Sequence, residues 1–566
     1  MSRRHQGMVA LVVCAAAACE PVLRADPPPI PFTQEAVYRG IDFSVRPLTS
    51  SIFGYGVGLA DLNNSGALDL VALGDAGNSI RIWENDGSGF FTERSLSPGL
   101  DDQIPAALYS GVSAADFDND GDLDLYLSVY GAPDVLLRND GDWNWTNVTQ
   151  SAGLGDAGAG CGLAWMDFNR DGWLDLYLAN RTGTYFSGNG PATQNNRLYR
   201  NNGDGTFTDV AAEMGVDSPG SPSFQGNFLD YNGDGLVDLY LANDKGNSGC
   251  TYPSRLYQND GTTFTDVSEE TNAFLCIDGM TVTIGDLNND LRQDIYVTNV
   301  YDGNALLVAQ PDGTFLDLAA DTGTISASYG WASQFLDVEN DGYLELYVCN
   351  TGGPNELFSH DGVFPCNDMA GLYGVAGGST DFTFCAATGD LNNDGAMDLV
   401  VSSPGRPLSV YINNDGAQRD WLKVRVLSEH APRDAYNATV TVVSNLGTFR
   451  REIIPNSGYK TQNDMHAHFG LGDDAVIEEV RVRWTSGTET VLTDVLPNQT
   501  LVVTSPCLAD LDSNGQVDLA DLNAILARYG QPVATMAPGD LNANGEIDFD
   551  DLTTLLALFG TSPCGN

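Results

Sequence analysis

Basic side chains are scarce in this chain of 566 residues: 26 Lys and Arg stand against 76 Asp and Glu, giving a formal charge of −50, and there are only 5 His. So acidic a surface repels phosphate backbones and anionic lipid headgroups, which excludes nucleic acid and membrane surfaces as partners. Long apolar runs are missing beyond the N-terminus, so no transmembrane segment is expected. Also missing are a Ser-His-Asp set, a Gly-rich phosphate loop and a zinc spacing, and the chain is read as a non-enzyme. An apolar content of 42% still argues for packed cores rather than acidic disorder.

The one apolar N-terminal run, in "MSRRHQGMVALVVCAAAAC", follows Arg3 and Arg4 and is too short to span a bilayer. Residues 1–18 therefore read as an export signal, placing the protein outside the cell or at its surface. Lipid modification of Cys19 is the alternative, disfavoured by Ala16 at the third position before it. Without the leader and Cys19, eight cysteines remain, an even number that in an exported chain favours disulfides. Cys250 with Cys276 and Cys507 with Cys564 are the pairs singled out.

What is abundant is acid in a pattern. "DFDNDGDLDL" places Asp116, Asp118, Asp120 and Asp124 at positions 1, 3, 5 and 9, with Gly121 at position 6. A hard cation wanting six to eight oxygens can take those side chains and a backbone carbonyl at position 7, and Gly supplies the positive φ of the turn. The spacing recurs in "DLNNSGALDL" (Asp61, Asn63, Ser65, Asp69) and "DFNRDGWLDL" (Asp167, Asn169, Asp171, Asp175). It recurs again in "DYNGDGLVDL" (Asp230, Asn232, Asp234, Asp238) and "DLNNDLRQDI" (Asp286, Asn288, Asp290, Asp294). "DVENDGYLEL" (Asp337, Glu339, Asp341, Glu345) and "DLNNDGAMDL" (Asp390, Asn392, Asp394, Asp398) complete seven. In the Asp286 loop Leu291 replaces the Gly, so either a branched side chain takes positive φ or the turn changes shape. That site is expected to be the weakest for calcium.

The loops start 51 to 63 residues apart, and between them lie strands of the "DLYLAN" kind and turns such as "LYRNNGDGTFTDV". Four short strands per unit is the pattern of a propeller blade. The seventh unit stops at "VYINNDG", whereas "FTQEAVYRGIDF" from Phe32 is an orphan strand that would complete it and hide both edges. These units resemble the FG-GAP/VCBS repeats of integrin-α-like propellers. The resemblance implies a mainly β chain with a seven-bladed β-propeller over residues 30–417 and one calcium ion per blade loop.

Residues 418–505 carry nine of the bases and alternate apolar with polar residues in "WLKVRVL", "ATVTVV", "VIEEVRVRW" and "QTLVV", a small β domain. "IPNSGYKTQNDMHAHFGLG" followed by "VRVRWTSG" resembles the ASPIC/UnbV module of cartilage acidic protein-like chains; "YNATV" departs from it where Gly more often precedes Ala. His466 and His468, alternate residues of one strand, could share a face, but with no third ligand they read as packing or hydrogen-bonding residues.

Two copies, "DLDSNGQVDLADLNAILARYG" and "DLNANGEIDFDDLTTLLALFG", lie 30 residues apart in residues 506–566. Each sets ligands before an apolar helix: Asp510, Asp512, Asn514, Asp518 and Asp521 in one, Asp540, Asn542, Asn544, Asp548 and Asp551 in the other. They resemble a type I dockerin, a small α-helical calcium-binding domain whose partner is a cohesin. Leu519, Ala520, Phe549 and Asp550 stand where the family commonly has Ser-Thr, a departure from the usual recognition pair that sets a general surface-anchoring or assembly role for the tail beside cohesin docking. The whole reads as an exported scaffold or adhesion protein holding up to nine calcium ions, presenting propeller loops to an extracellular protein or glycan and docking by its tail to a cohesin-like domain. The alternative is a component of extracellular polysaccharide degradation.

Overall fold

The computed structural model describes residues 32–559 except 49–53, 75–79, 95–103, 105–106, 131, 157, 159, 182–194, 245–248, 301–302, 327, 415, 429–431, 506–508, 510, 512–516, 534–538 and 542–545. The leader, Cys507, Cys564, Asp510, Asp512, Asn514, Asn542 and Asn544 lie outside the described residues.

Each acidic loop sits between the first two strands of an antiparallel four-stranded sheet, as in Gly160–Met166, Asp175–Asn180, Arg197–Asn201 and Phe207–Asp209. Seven such sheets occur among the described residues, an arrangement consistent with a propeller. The seventh is completed by Phe32–Gln34, in register with Asn413, Ile412 and Tyr411, so the orphan strand does close the last unit. First strands contact one another in a closed cycle, Cys385–Gly389 meeting Val57–Ala60. Burial falls outward. Strands such as "DLYLAN" are buried on both faces, whereas the fourth strand of the same sheet exposes two of its three residues. Buried second-strand tyrosines need a polar partner for each hydroxyl, and Tyr177, Tyr240, Tyr296 and Tyr347 each donate to a backbone carbonyl.

Asparagines at the end of the third strands join neighbouring sheets. Asn139, Asn201, Asn259, Asn413 and Asn85 each donate through Nδ2 to the position-2 carbonyl of the preceding loop, at Leu62, Phe117, Phe168, Val338 and Leu391. Their own N–H groups go to the position-9 carboxylate of their own sheet. The "NNDG" and "NNGDG" stretches are turns, as their composition says, but the leading Asn is also a staple between sheets.

The 418–505 region folds as two small sheets around Leu422, Val424, Val440, Val442, Phe469 and Val480. Asn437 takes the place of the more usual Gly with φ +60°, a conformation Asn tolerates. From this domain residues 454–464, "IPNSGYKTQND", run along the first strands of all seven sheets. Gln462 pairs in parallel with Gly58, its N–H donating to Val57 and its carbonyl accepting from Leu59, and its Oε1 accepts from Ala114 N–H and Ser113 Oγ. Asn456 Oδ1 accepts from Trp165 N–H, and Gln225 Nε2 donates to the carbonyls of Asn456 and Gly458. Ser457 Oγ accepts from Ile284 N–H, Thr461 Oγ1 from Gln334 Nε2, and Asn463 Oδ1 from Thr388 N–H. At the tip, Tyr459 packs on Phe224 and Trp331. Lys460 is buried beside it, which pushes the ammonium pKa below its usual value.

Of the cysteines, Cys250 and Cys276 are bonded, as expected. The inference from an even cysteine count does not extend further among the described residues: Cys161, Cys349, Cys366 and Cys385 are free and buried, where a thiol behaves as a small apolar side chain. The tail forms two helices, Leu519–Arg528 and Phe549–Leu558, packed around Ala509, Val517, Ile525, Ile547 and Leu555.

Replacing Gln462 by Ala strips partners from buried N–H and O–H donors, and thermal unfolding should report a loss of about 1–3 kcal/mol. Asn201→Ala removes one staple between sheets and should cost a similar amount, about 1–3 kcal/mol, whereas Asn202→Ala, at the exposed next position, should leave the thermal midpoint within a degree or two.

Candidate metal centre

The seven loops share one backbone scheme. The position-1 carboxylate accepts the N–H of position 6 at 2.7 to 3.0 Å in every loop, from Gly66, Gly121, Gly172, Gly235, Leu291, Gly342 and Gly395. The position-9 carboxylate accepts the N–H of position 2 at 2.8 to 3.2 Å. Leu291 keeps this scheme by taking φ +67°, so the turn is preserved and the strain falls on the residue. Carboxylate oxygens have two lone pairs each, and those with one N–H keep capacity for a cation; Asp337 Oδ2 also accepts the Gly470 N–H, and Asp390 Oδ2 also takes Lys423 Nζ.

Positions 3 and 5 are drawn together as the spacing requires. Asn169, Asn232, Asn288 and Asn392 donate to Asp171, Asp234, Asp290 and Asp394 at 2.7 to 3.0 Å. Among the described residues, one group of three acids brings its ligand atoms within 4.8 Å of one another, Asp116, Asp118 and Asp120. Two loops depart from the pattern. Asn63 turns to Glu84 instead, and Glu339 accepts the Tyr373 hydroxyl. The donor set is all hard oxygen, which fits calcium rather than zinc.

Burial makes these acids hard to ionise without a cation. Desolvation pushes Asp69, Asp116, Asp167 and Asp341 up to about 7, Asp238 to about 8 and Asp286 to about 6. Asp124, Asp175, Asp294, Glu345 and Asp398 are raised well above the carboxylate range for the same reason.

The second domain's bases meet this face. Lys423 Nζ lies 2.6 Å from Asp390 and 3.2 Å from Asn393 Oδ1. Arg433 donates to the Gly121 carbonyl, Arg450 to that of Leu291, Arg451 to that of Gly342 and Arg419 to that of Glu339. His468 donates from Nε2 to the Gly395 carbonyl at 3.0 Å, and His466 from Nδ1 to Asp464 at 2.6 Å, so the two histidines serve separate hydrogen bonds. Sequence reasoning noticed the local excess of bases but not their targets; the signal was the excess itself beside seven acidic loops.

A further set of asparagines escaped notice at position 4. Asn64, Asn119, Asn289 and Asn340 adopt φ of +53° to +57° and donate to the position-6 carbonyl of the next loop, at Gly121, Gly172, Gly342 and Gly395. In the tail, Asp521 accepts the N–H groups of Leu511 and Asp518, and Asp551 those of Leu541 and Asp548, while Asp518 and Asp548 cap the helices. Asp540 is fully buried.

Comparison with known proteins agrees with this layout. The FG-GAP-like repeat family matches residues 61–127, 116–178, 185–241, 230–297 and 286–348, and the ASPIC and UnbV family matches residues 428–507. Cartilage acidic protein 1 of Homo sapiens is 26% identical over 484 residues, 69% of this chain and 71% of that protein. Cartilage acidic protein 1 of Xenopus tropicalis is 26% identical over 480 residues, 68% of this chain and 72% of that protein. Among solved structures, YCF48 from Cyanidioschyzon merolae has a TM-score of 0.39 at 12% identity, covering 67% of this chain and 98% of its own. BBS1N, solved in complex with ARL6DN, has a TM-score of 0.38 at 11% identity, covering 66% and 95%. This chain therefore carries FG-GAP-like repeats followed by an ASPIC and UnbV domain, and it is homologous to cartilage acidic protein 1.

Proposed function

We propose that the chain is an exported calcium-binding scaffold or adhesion protein rather than an enzyme. Its ring is a seven-bladed propeller, with calcium in the blade loops. The observation that carries the reading is the shared scheme of the loops, in which buried carboxylates are held in place by backbone N–H groups while keeping lone pairs free. Calcium would supply the counter-charge that makes those acids stable as anions; the chain's own residues orient the oxygens and exclude water. The Asp286 loop is the weakest site, since Leu291 is strained and Arg292 already pairs with Asp290.

The second domain covers part of the loop face, so an extracellular protein or glycan would be met by the remaining loops and outer strands. The tail, read as dockerin-like, would attach the whole to a cohesin-like domain. Its two helices present matching exposed apolar residues, Leu519 with Phe549 and Leu526 with Leu556. Among the described residues no helix is long and apolar enough to cross a membrane.

At 10 mM calcium, dissociation constants of about 10⁻⁴ to 10⁻³ M give about 1.4 to 2.7 kcal/mol of stabilisation per ion. Thermal melts with and without calcium should show that gain, and Asp175→Asn should reduce it more than Asp294→Asn, which lies in the weakest loop. The pH dependence has a fixed sign. Metal-free, burial raises Asp286 to about 6, Asp69 to about 7 and Asp238 to about 8 against about 3.9 unfolded, so the native state binds more protons in that window. Stability of the metal-free protein should therefore be greatest below about pH 4 as far as these groups decide it and fall as pH rises to about 8. Calcium binds the deprotonated form, so the calcium-dependent gap in melting temperature should widen from pH 5 to pH 8. A gap that is absent at every pH would refute the calcium reading. Removing residues 506–566 should abolish capture by an immobilised cohesin and leave glycan or protein binding by the propeller unchanged.

A further inference from the structure

The Asp116 loop differs from the other six in what covers it. Residues 433–436 of the second domain lie along it: the Arg433 guanidinium donates to the Gly121 carbonyl at position 6, and the Tyr436 hydroxyl donates at 3.0 Å to the Ala114 carbonyl just before position 1. Between these two anchors is Asp434, which is completely buried. One of its oxygens, Oδ1, pairs with Arg425; the other, Oδ2, is buried with no hydrogen-bond partner. Asp118 Oδ1, inside the loop, is likewise buried without a partner. A buried carboxylate oxygen lacking a donor is costly, and here two of them occur at the loop whose position-1, 3 and 5 ligand atoms already converge. Asp116, Asp118, Asp120, Asp124 and Asp434 gather here against Arg138, Arg425 and Arg433, an excess of acid that a divalent cation would offset.

We propose that Asp434 Oδ2 is a further ligand of the cation held by the Asp116 loop, so that one ion is shared between the propeller and the second domain and fastens them together. The inference rests on the calcium reading of the loops. The all-oxygen donor set selects a hard divalent cation of the calcium type.

The test is calorimetric titration of calcium into the metal-free full-length protein and its variants. Asp116→Asn should bind one ion fewer than the native protein. Asp434→Asn should weaken that same ion at least tenfold, whereas Arg425→Met, which breaks the same ion pair but removes no ligand, should leave its affinity within about threefold. If Asp434→Asn titrates like the native protein while Asp116→Asn loses an ion, Asp434 is not a ligand and the calcium reading stands. If Asp116→Asn loses no ion, the calcium reading of this loop fails and the proposal with it. Should Asp434→Asn not fold, a crystal structure of the native protein with calcium decides: an ion within about 2.3–2.6 Å of Asp434 Oδ2 supports the proposal, and a water between them overturns it.

Discussion

Residues 454–464 are the constraint on which the rest of the molecule depends. A ring of sheets has inner strands whose backbone groups face its axis, and those groups cannot be left bare. One segment of the second domain bonds to each of the seven in turn, to backbone groups in five and to the Gln225 and Gln334 side chains in two, with Asn456 and Ser457 on one flank, Tyr459 and Lys460 at the tip, and Gln462 and Asn463 on the other. The fit is close: a Cβ on Gly56 would lie 2.2 Å from the Lys460 carbonyl oxygen. Because the bonds go to every sheet, separating the second domain would expose the interior of the whole ring. The two domains therefore form one folding unit in energetic terms, although the chain between them is continuous and short.

Electrostatics reinforces the same joint. The loops gather negative charge on the face from which the segment enters, and the second domain brings Arg419, Lys423, Arg433, Arg450 and Arg451 to it. The pair of Lys423 and Asp390 is buried on both sides. Removing either partner would leave a buried charge alone, which is far costlier than losing a surface pair. The scarcity of basic residues in the chain as a whole makes their concentration in this one domain meaningful: they are spent where the acids are densest.

Much of this was legible in the sequence because the information is local. Acid spacing of 1, 3, 5 and 9, a strand on either side, and an orphan strand at Phe32 are all written within short windows, and the strands and their closure follow. Alternation in "TVTVVS" marks the second domain's strands, since one face packs and the other does not. What could not be read is long-range. Gln462 meets Ser113 and Ala114 across more than three hundred residues, and nothing near Gln462 signals it. The staple asparagines were hidden by a local motif that already explained them as turns. The cysteine count misled because parity says nothing about burial, and Cys349 and Cys385 sit in strands where an apolar side chain is needed. Leu291 looked like a break in the loop, yet the backbone bonds to Asp286 hold the turn and force φ positive.

The central claim is that the 454–464 segment is part of the ring's core. Native-state hydrogen exchange at the amides of Gln462 and Asp464, which donate to Val57 and Thr388, measures this directly. The account predicts protection equal to that of the inner strands, lost only on global unfolding. Exchange of these amides within seconds, while the second strands such as Asp175–Asn180 stay protected, would show that the second domain lifts away independently and would contradict it.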